Sequence, residues 1–147
     1  MLRGNALAKV DEKGRLKMPS VFRSIIEPRY GREFFVTSIL GDHVRVYPME
    51  VYAEYETRMG QASQVGPLVN RLRDALNYYG QTTTMDGQGR ILIHPLLREK
   101  AGIDGEEVTV LGQHDRLVVW NRRTFEERLE KNPLTENDLH GLEALGF

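Results

Sequence analysis

Cysteine is absent from the 147 residues, so neither a disulfide framework nor a cysteine nucleophile is available. Long apolar runs are missing too. None approaches the roughly 20 residues that cross a bilayer, and no membrane insertion is expected. Met1-Leu-Arg-Gly-Asn5 leads into no apolar signal core, which points to a cytoplasmic protein. The chain has no phosphate-binding Gly-x-x-x-x-Gly-Lys and no glycine-rich dinucleotide fingerprint. His43, His94, His114 and His140 are scattered, without the short spacing that holds a metal, and read as ordinary surface or helix-start residues. Glu126, Glu127 and Glu130 read as a solvated helix face, not an acid/base pair. An enzyme is therefore not expected, nor a cofactor, a metal or a small-molecule substrate.

A net basic charge is also lacking, since the formal total is -1. The average hides a polarity. Residues 1–32 hold eight Lys/Arg against three Asp/Glu, whereas residues 126–147 hold two against six. The N-terminal part could face a polyanion; the C-terminal part could not.

What the chain does contain is a repeat. Asp11-Glu-Lys-Gly-Arg15-Leu-Lys-Met-Pro19-Ser-Val-Phe-Arg23 recurs as Asp86-Gly-Gln-Gly-Arg90-Ile-Leu-Ile-His94-Pro-Leu-Leu-Arg98, with Asp, Gly and both Arg at an offset of 75. Phe35-Val-Thr-Ser-Ile-Leu-Gly-Asp-His-Val-Arg-Val-Tyr47-Pro with Tyr52 is echoed from Val108 to Trp120 with Phe125, at an offset of 73. Two blocks in the same order make duplication the better reading. Halves of roughly 70 residues would be marginal alone, so they should share a core.

Each copy parses alike. Ala8–Val10 runs into a turn with Asp11 first and Gly14 fourth, and a strand over 15–18 returns. Pro19 opens a helix with Val21, Phe22, Ile25 and Ile26 as its apolar face, stopped at Glu27-Pro28. Strands follow near 34–38 and 44–47. The second copy gives strands near 81–85 and 90–93, a helix from Pro95 to near Gly102, and strands near 108–111 and 117–120. Val51, Tyr52, Tyr55 and Met59 mark a closing helix in the first copy, Phe125 and Leu129 in the second. Between the copies, Gly66-Pro67 opens a helix with an apolar stripe of Leu68, Val69, Leu72, Ala75, Leu76 and Tyr79, and residues 60–66 form the turn before it. Beyond Asn132-Pro133, Thr135 is a candidate helix cap with Asp138 three residues on. The division is 1–59, a bridging helical segment 60–80, 81–131, and an acidic tail 132–147.

A doubled Asp-x-x-Gly-Arg hairpin followed by strand, proline and helix resembles the MraZ family over nearly the whole chain. The resemblance implies an α+β fold of two tandem, pseudo-symmetric β-rich halves of the SpoVT-AbrB swapped-hairpin type, bridged by helices. It also implies a sequence-specific regulator of division and cell-wall genes. Such a regulator, a repressor in this reading, binds repeated promoter boxes on double-stranded DNA as a ring-like homo-oligomer at the nucleoid. The second copy departs in having His94 in place of Pro19, and Gly87 and Gln88 in place of Glu12 and Lys13, so its hairpin is the less basic.

Under that resemblance the hairpins carry the chemistry. Arginine offers a planar fork of donors that fits guanine O6 and N7 or a phosphate, and a β-ribbon fits the major groove. Arg15 is the candidate base reader and Arg90 its mate; Arg3, Lys9, Lys13 and Lys17 are candidate phosphate contacts. Asp11, Gly14, Asp86 and Gly89 shape the turns. A structural reading stands beside it, in which Asp11–Arg15 and Asp86–Arg90 are pairs that pin their hairpins. A further alternative is an oligomeric interaction scaffold without specific DNA binding, in which Tyr47, Tyr52, Tyr55, Tyr78, Tyr79 and Trp120 serve an interface or the core.

Overall fold

The computed structural model describes residues 1–62 and 66–147. Along these residues the chain runs β1 (Asn5–Lys9), β2 (Arg15–Lys17), α1 (Ser20–Tyr30), β3 (Glu33–Thr37), β4 (Val44–Pro48), α2 (Met49–Ala62) and α3 (Pro67–Tyr79). It continues with β5 (Gln81–Thr84), β6 (Arg90–Leu92), α4 (Pro95–Ala101), β7 (Glu107–Gln113), β8 (Arg116–Asn121), α5 (Arg122–Lys131) and α6 (Glu136–Ala144). The order strand, strand, helix, strand, strand, helix thus occurs once before α3 and once after it. Helices mixed with antiparallel strands make this an α+β fold, as expected.

Six strands form one antiparallel sheet in the order β1-β7-β8-β4-β3-β5, and β2 pairs with β6 in a separate two-stranded ribbon. The strand expected to return beside Ala8–Val10 does so only through the single bridge Val10↔Leu16. Instead β1 pairs with β7, and β5 pairs with β3. Burial explains the exchange. Leu16 and Ile91 face each other across the ribbon and are both within 2% of complete burial, which three-residue strands in a local hairpin could not achieve.

The ladders also correct the alignment of the repeat. Val36 pairs with Val46 and Val110 with Val119, while Ala8 lies opposite Val108 and Thr83 opposite Phe34. Phe34 is therefore the counterpart of Val108, and Phe35 of Thr109. The second copy loses one residue before β7 and another in the hairpin after it.

One hydrophobic cluster draws on both copies, with Phe22, Ile26 and Phe34 beside Ile91, Leu97, Ile103 and Val108. Burying each such side chain is worth about 1.5–3 kcal/mol. A smaller cluster of Tyr47, Val51 and Tyr52, with Phe35 and Tyr55 against it, sits under α2. Of the aromatics assigned to interface or core, Tyr47, Tyr52 and Trp120 are buried, whereas Tyr78 is exposed.

Several local expectations change. Pro19 is the N-cap of α1, not its first residue, because its ψ of 138° is extended. The helix reads through Pro28 to Tyr30 and closes by the Gly31 N–H donating to the Glu27 carbonyl. Pro28 deprives only the carbonyl of Ser24, an exposed residue, of its partner. Its buried face is Phe22 and Ile26; Val21 and Ile25 are exposed. Of residues 60–66, expected as turn, 60–62 continue α2, 63–65 lie outside the described residues, and Gly66 is the N-cap of α3. The stripe of α3 buries Leu76 completely, and Thr37 donates its hydroxyl to the Leu76 carbonyl at 2.6 Å, tying α3 to β3. Leu68 at the start of the stripe stays exposed. Thr135 and Asp138 cap α6 reciprocally, as their spacing predicts.

Candidate nucleic-acid interface

Each Asp-x-x-Gly-Arg turn is organised around one carboxylate. Asp11 Oδ1 accepts the backbone N–H groups of Lys13 and Arg15, both at 2.9 Å, and Oδ2 accepts Arg15 Nε at 2.9 Å. Asp86 does the same with Gln88, Arg90 and Arg90 Nε, the last at 2.7 Å. The Gly14 and Gly89 N–H groups close the turns onto the Asp11 and Asp86 carbonyls at φ near +80° (80° and 81°), a conformation that favours glycine. Hydrogen bonds from the backbone of Arg15, then from its side chain, lower the Asp11 pKa; the Arg90 backbone and side chain bring Asp86 down from 3.8 to about 2. The structural pairing of Asp with Arg is thus present in both turns.

The two turns brace each other. Met18 N–H donates to the Gly89 carbonyl at 2.7 Å, and Ile93 N–H to the Gly14 carbonyl at 2.9 Å. The last arginine of each repeat lies against the other repeat's turn glycine, Arg98 on Gly14 and Arg23 on Gly89. Arg98 is held by Asp104 at 2.7 Å and the Ile93 carbonyl at 2.6 Å; Arg23 by Glu27 at 2.9 Å and the Gly87 carbonyl at 3.4 Å. Arg32 adds a bond to the Asp86 carbonyl at 2.7 Å. Sequence reasoning gave these three arginines no role. For Arg23 and Arg98 the signal was their constant offset; for Arg32 there was none.

The ribbon register sets Arg15 opposite Leu92 and Lys17 opposite Arg90. With Leu16 and Ile91 turned into the core, alternation puts Arg15, Lys17, Arg90 and Leu92 on the outer face. Lys17 and Arg90 are like charges in directly paired positions, where Cβ atoms lie roughly 5 Å apart. Only Nε of Arg15 and of Arg90 is engaged among the described residues, which leaves both terminal nitrogen forks available. Lys13 stands exposed in the first turn. Lys9, at the end of β1, shares a shallow groove of about 370 Å³ with Lys17 and Arg23. Arg3 is not brought to this cluster. It lies before the other end of β1, beside the β7–β8 hairpin, about 20 Å from Lys9 at 3.3 Å per residue.

The histidines lie outside the ribbon face. His43 stacks on Trp120 with centroids 4.4 Å apart and bonds Asp42 at 2.8 Å, and burial lowers its pKa. His94 is the half-buried cap of α4, within 2.6 Å of the Tyr79 carbonyl. Among the described residues no three His, Cys, Asp or Glu side chains are grouped to hold a metal, and no helix is long and apolar enough to cross a membrane.

Two Asp-anchored turns joined in a cationic two-stranded ribbon beside a six-stranded antiparallel sheet define the class, an α+β protein. Residues 80–142 match the family model described as "MraZ protein, putative antitoxin-like". The chain is 40% identical over 147 residues to the transcriptional regulator MraZ of Acidobacterium capsulatum and 42% over 148 residues to that of Koribacter versatilis, each match covering both chains fully. The Escherichia coli K12 protein of the same name is 29% identical over 133 residues, covering 90% of this chain and 87% of its own. The chain belongs to the MraZ family.

Proposed function

We propose that this chain is a transcriptional regulator that binds double-stranded DNA sequence-specifically through the β2–β6 ribbon, and that it represses division and cell-wall genes from repeated promoter boxes at the nucleoid. In this reading 1–59 and 81–131 act as pseudo-equivalent SpoVT-AbrB-like halves around the bridging segment 60–80, and several copies assemble as a ring-like homo-oligomer. The observation that carries the reading is the outer ribbon face, where Lys17 lies opposite Arg90 and where Asp11 and Asp86 each engage only Nε of their arginine, so that the terminal nitrogens of both arginines are available to acceptors. With Lys13 and Lys17 these groups give the face an excess of cationic donors that a polyanion can satisfy. Because Nε of Arg15 is fixed by Asp11, its terminal fork is pre-oriented and less entropy is lost on bidentate contact with guanine or phosphate. Lys9, Lys13 and Lys17 then supply phosphate contacts on the same side, and Arg3 an outlying one. The names of the relatives support regulation of transcription as the biological role. A small cationic face per chain is enough when identical ribbons engage successive boxes, since each later contact is intramolecular.

A mobility-shift titration against tandem promoter boxes, with scrambled competitor at two salt concentrations, tests the proposal. Selective retention that weakens with salt is expected, and Arg15→Ala should abolish selectivity while assembly size stays unchanged. Equal retention of both fragments, or none, would overturn it.

A further inference from the structure

We infer that a groove on one flank of the β2–β6 ribbon, lined by Lys9, Lys17 and Ser20, seats a phosphodiester group of one DNA strand, and that the opposite flank has no such seat. The groove encloses about 370 Å³ between β1, the end of β2 and the start of α1, and its lining has three cations, Lys9, Lys17 and Arg23, and no carboxylate. Glu107 lies opposite Lys9 across the β1–β7 ladder but is bridged to Arg122 instead, and Lys17 stands opposite the like-charged Arg90. Neither lysine has a carboxylate partner among the described residues, and the exposed Ser20 hydroxyl has no hydrogen-bond partner among them. Arg23 is already held by Glu27 and the Gly87 carbonyl, so the free donors are the two lysines and Ser20. Lys17 also belongs to the outer face of the ribbon. Groove and face are therefore continuous, and a duplex on the ribbon brings its backbone to the groove.

The repeat places the same elements on the other flank, at the offset of 75, and removes every one of these free donors. Lys9 is replaced by Thr84, Lys17 by Leu92 and Ser20 by Pro95. Thr84 donates its hydroxyl to Glu33 at 2.7 Å, which occupies it and sets a carboxylate beside it. Pro95 has neither a hydroxyl nor an N–H. Arg98, in the place of Arg23, is taken by Asp104 and the Ile93 carbonyl. The forks of Arg15 and Arg90 are thus repeated across the ribbon, whereas the phosphate donors at its sides are not. Because phosphate contacts set the register and orientation of a protein on a duplex, a one-sided grip gives the ribbon a single orientation. The inference rests on the DNA-binding reading of the ribbon and specifies where the backbone is held.

Anisotropy titrations over a salt series, with phosphate-ethylation interference, test it on a duplex carrying one promoter box. The proteins are full-length wild type, Ser20→Ala, Lys9→Gln and the double variant, all altered at exposed positions and compared at unchanged melting temperature. Ser20→Ala should weaken binding about threefold to tenfold at an unchanged salt slope, because the lost hydrogen bond carries no charge. Lys9→Gln should lower the slope by about one. Ethylation should interfere on one side of the box centre, and the double variant should become indifferent to it at one phosphate there. Ser20→Ala binding as wild type does, or interference equal on both sides of the centre, would overturn the seat and leave DNA binding through the ribbon standing. A wild type that retains no duplex would overturn both.

Discussion

The guanidinium of Arg98 occupies the space in which Gly14 would carry a side chain, and Arg23 stands in the same relation to Gly89. Residues 84 positions apart therefore fix one turn. The ribbon is held from below by Leu16 and Ile91 and from its ends by arginines of the opposite repeat. Gly14→Ala would meet both the Arg98 contact and a φ of +80°. It should cost about 2 kcal/mol or more and lower the melting temperature by several degrees. Gly87→Ala, with open space around it, should change stability by less than about 0.5 kcal/mol. Thermal melts of the two variants side by side make the comparison.

The asymmetry of the outer face predicts the salt dependence of DNA binding. Leu92 takes the place in the second strand that Lys17 holds in the first. Leu92→Lys should steepen the slope of log affinity against log salt by about one, and Lys13→Ala should flatten it by about one. Neither should alter selectivity between boxes and scrambled DNA, which is readable by fluorescence anisotropy over a salt series.

Asp86 stands at about 2 because the bonds from Arg90 and Gln88 are made to its ionised form. The folded pKa is below the ordinary 3.8, so its stabilising effect is complete above that value and is lost as pH falls toward 2. Asp86→Asn should melt below the wild type at pH 6, and the gap should narrow toward pH 2. Melts over that range check the direction.

His43 behaves in the opposite half of the scale. Burial against Trp120 disfavours its charged form, so the unfolded chain binds the proton more readily than the folded one. Stability should fall as pH drops through 6.5 toward the lower folded value. His43→Phe keeps an aromatic ring over Trp120 and should show a flatter dependence between pH 7.5 and 5.

Local signals in the sequence determined much of this protein. Asp11-x-x-Gly14-Arg15 and its echo contain the donors and acceptors of the carboxylate-centred bonds that shape their own turns, so the turns were legible wherever the motif stood. The apolar periods of α2 and α3 and the Thr135/Asp138 cap likewise depend on neighbours within a few residues. Tertiary structure alone decided which strands pair. A three-residue strand such as Arg15–Lys17 buries too little in a local hairpin, and Leu16 is buried where β2 pairs with β6 and faces Ile91. That pairing is what sets Lys17 against Arg90, carries Arg98 onto Gly14 and leaves Arg3 far from the ribbon. Contacts of this kind join residues tens of positions apart, and their energies exist only once both copies share a core.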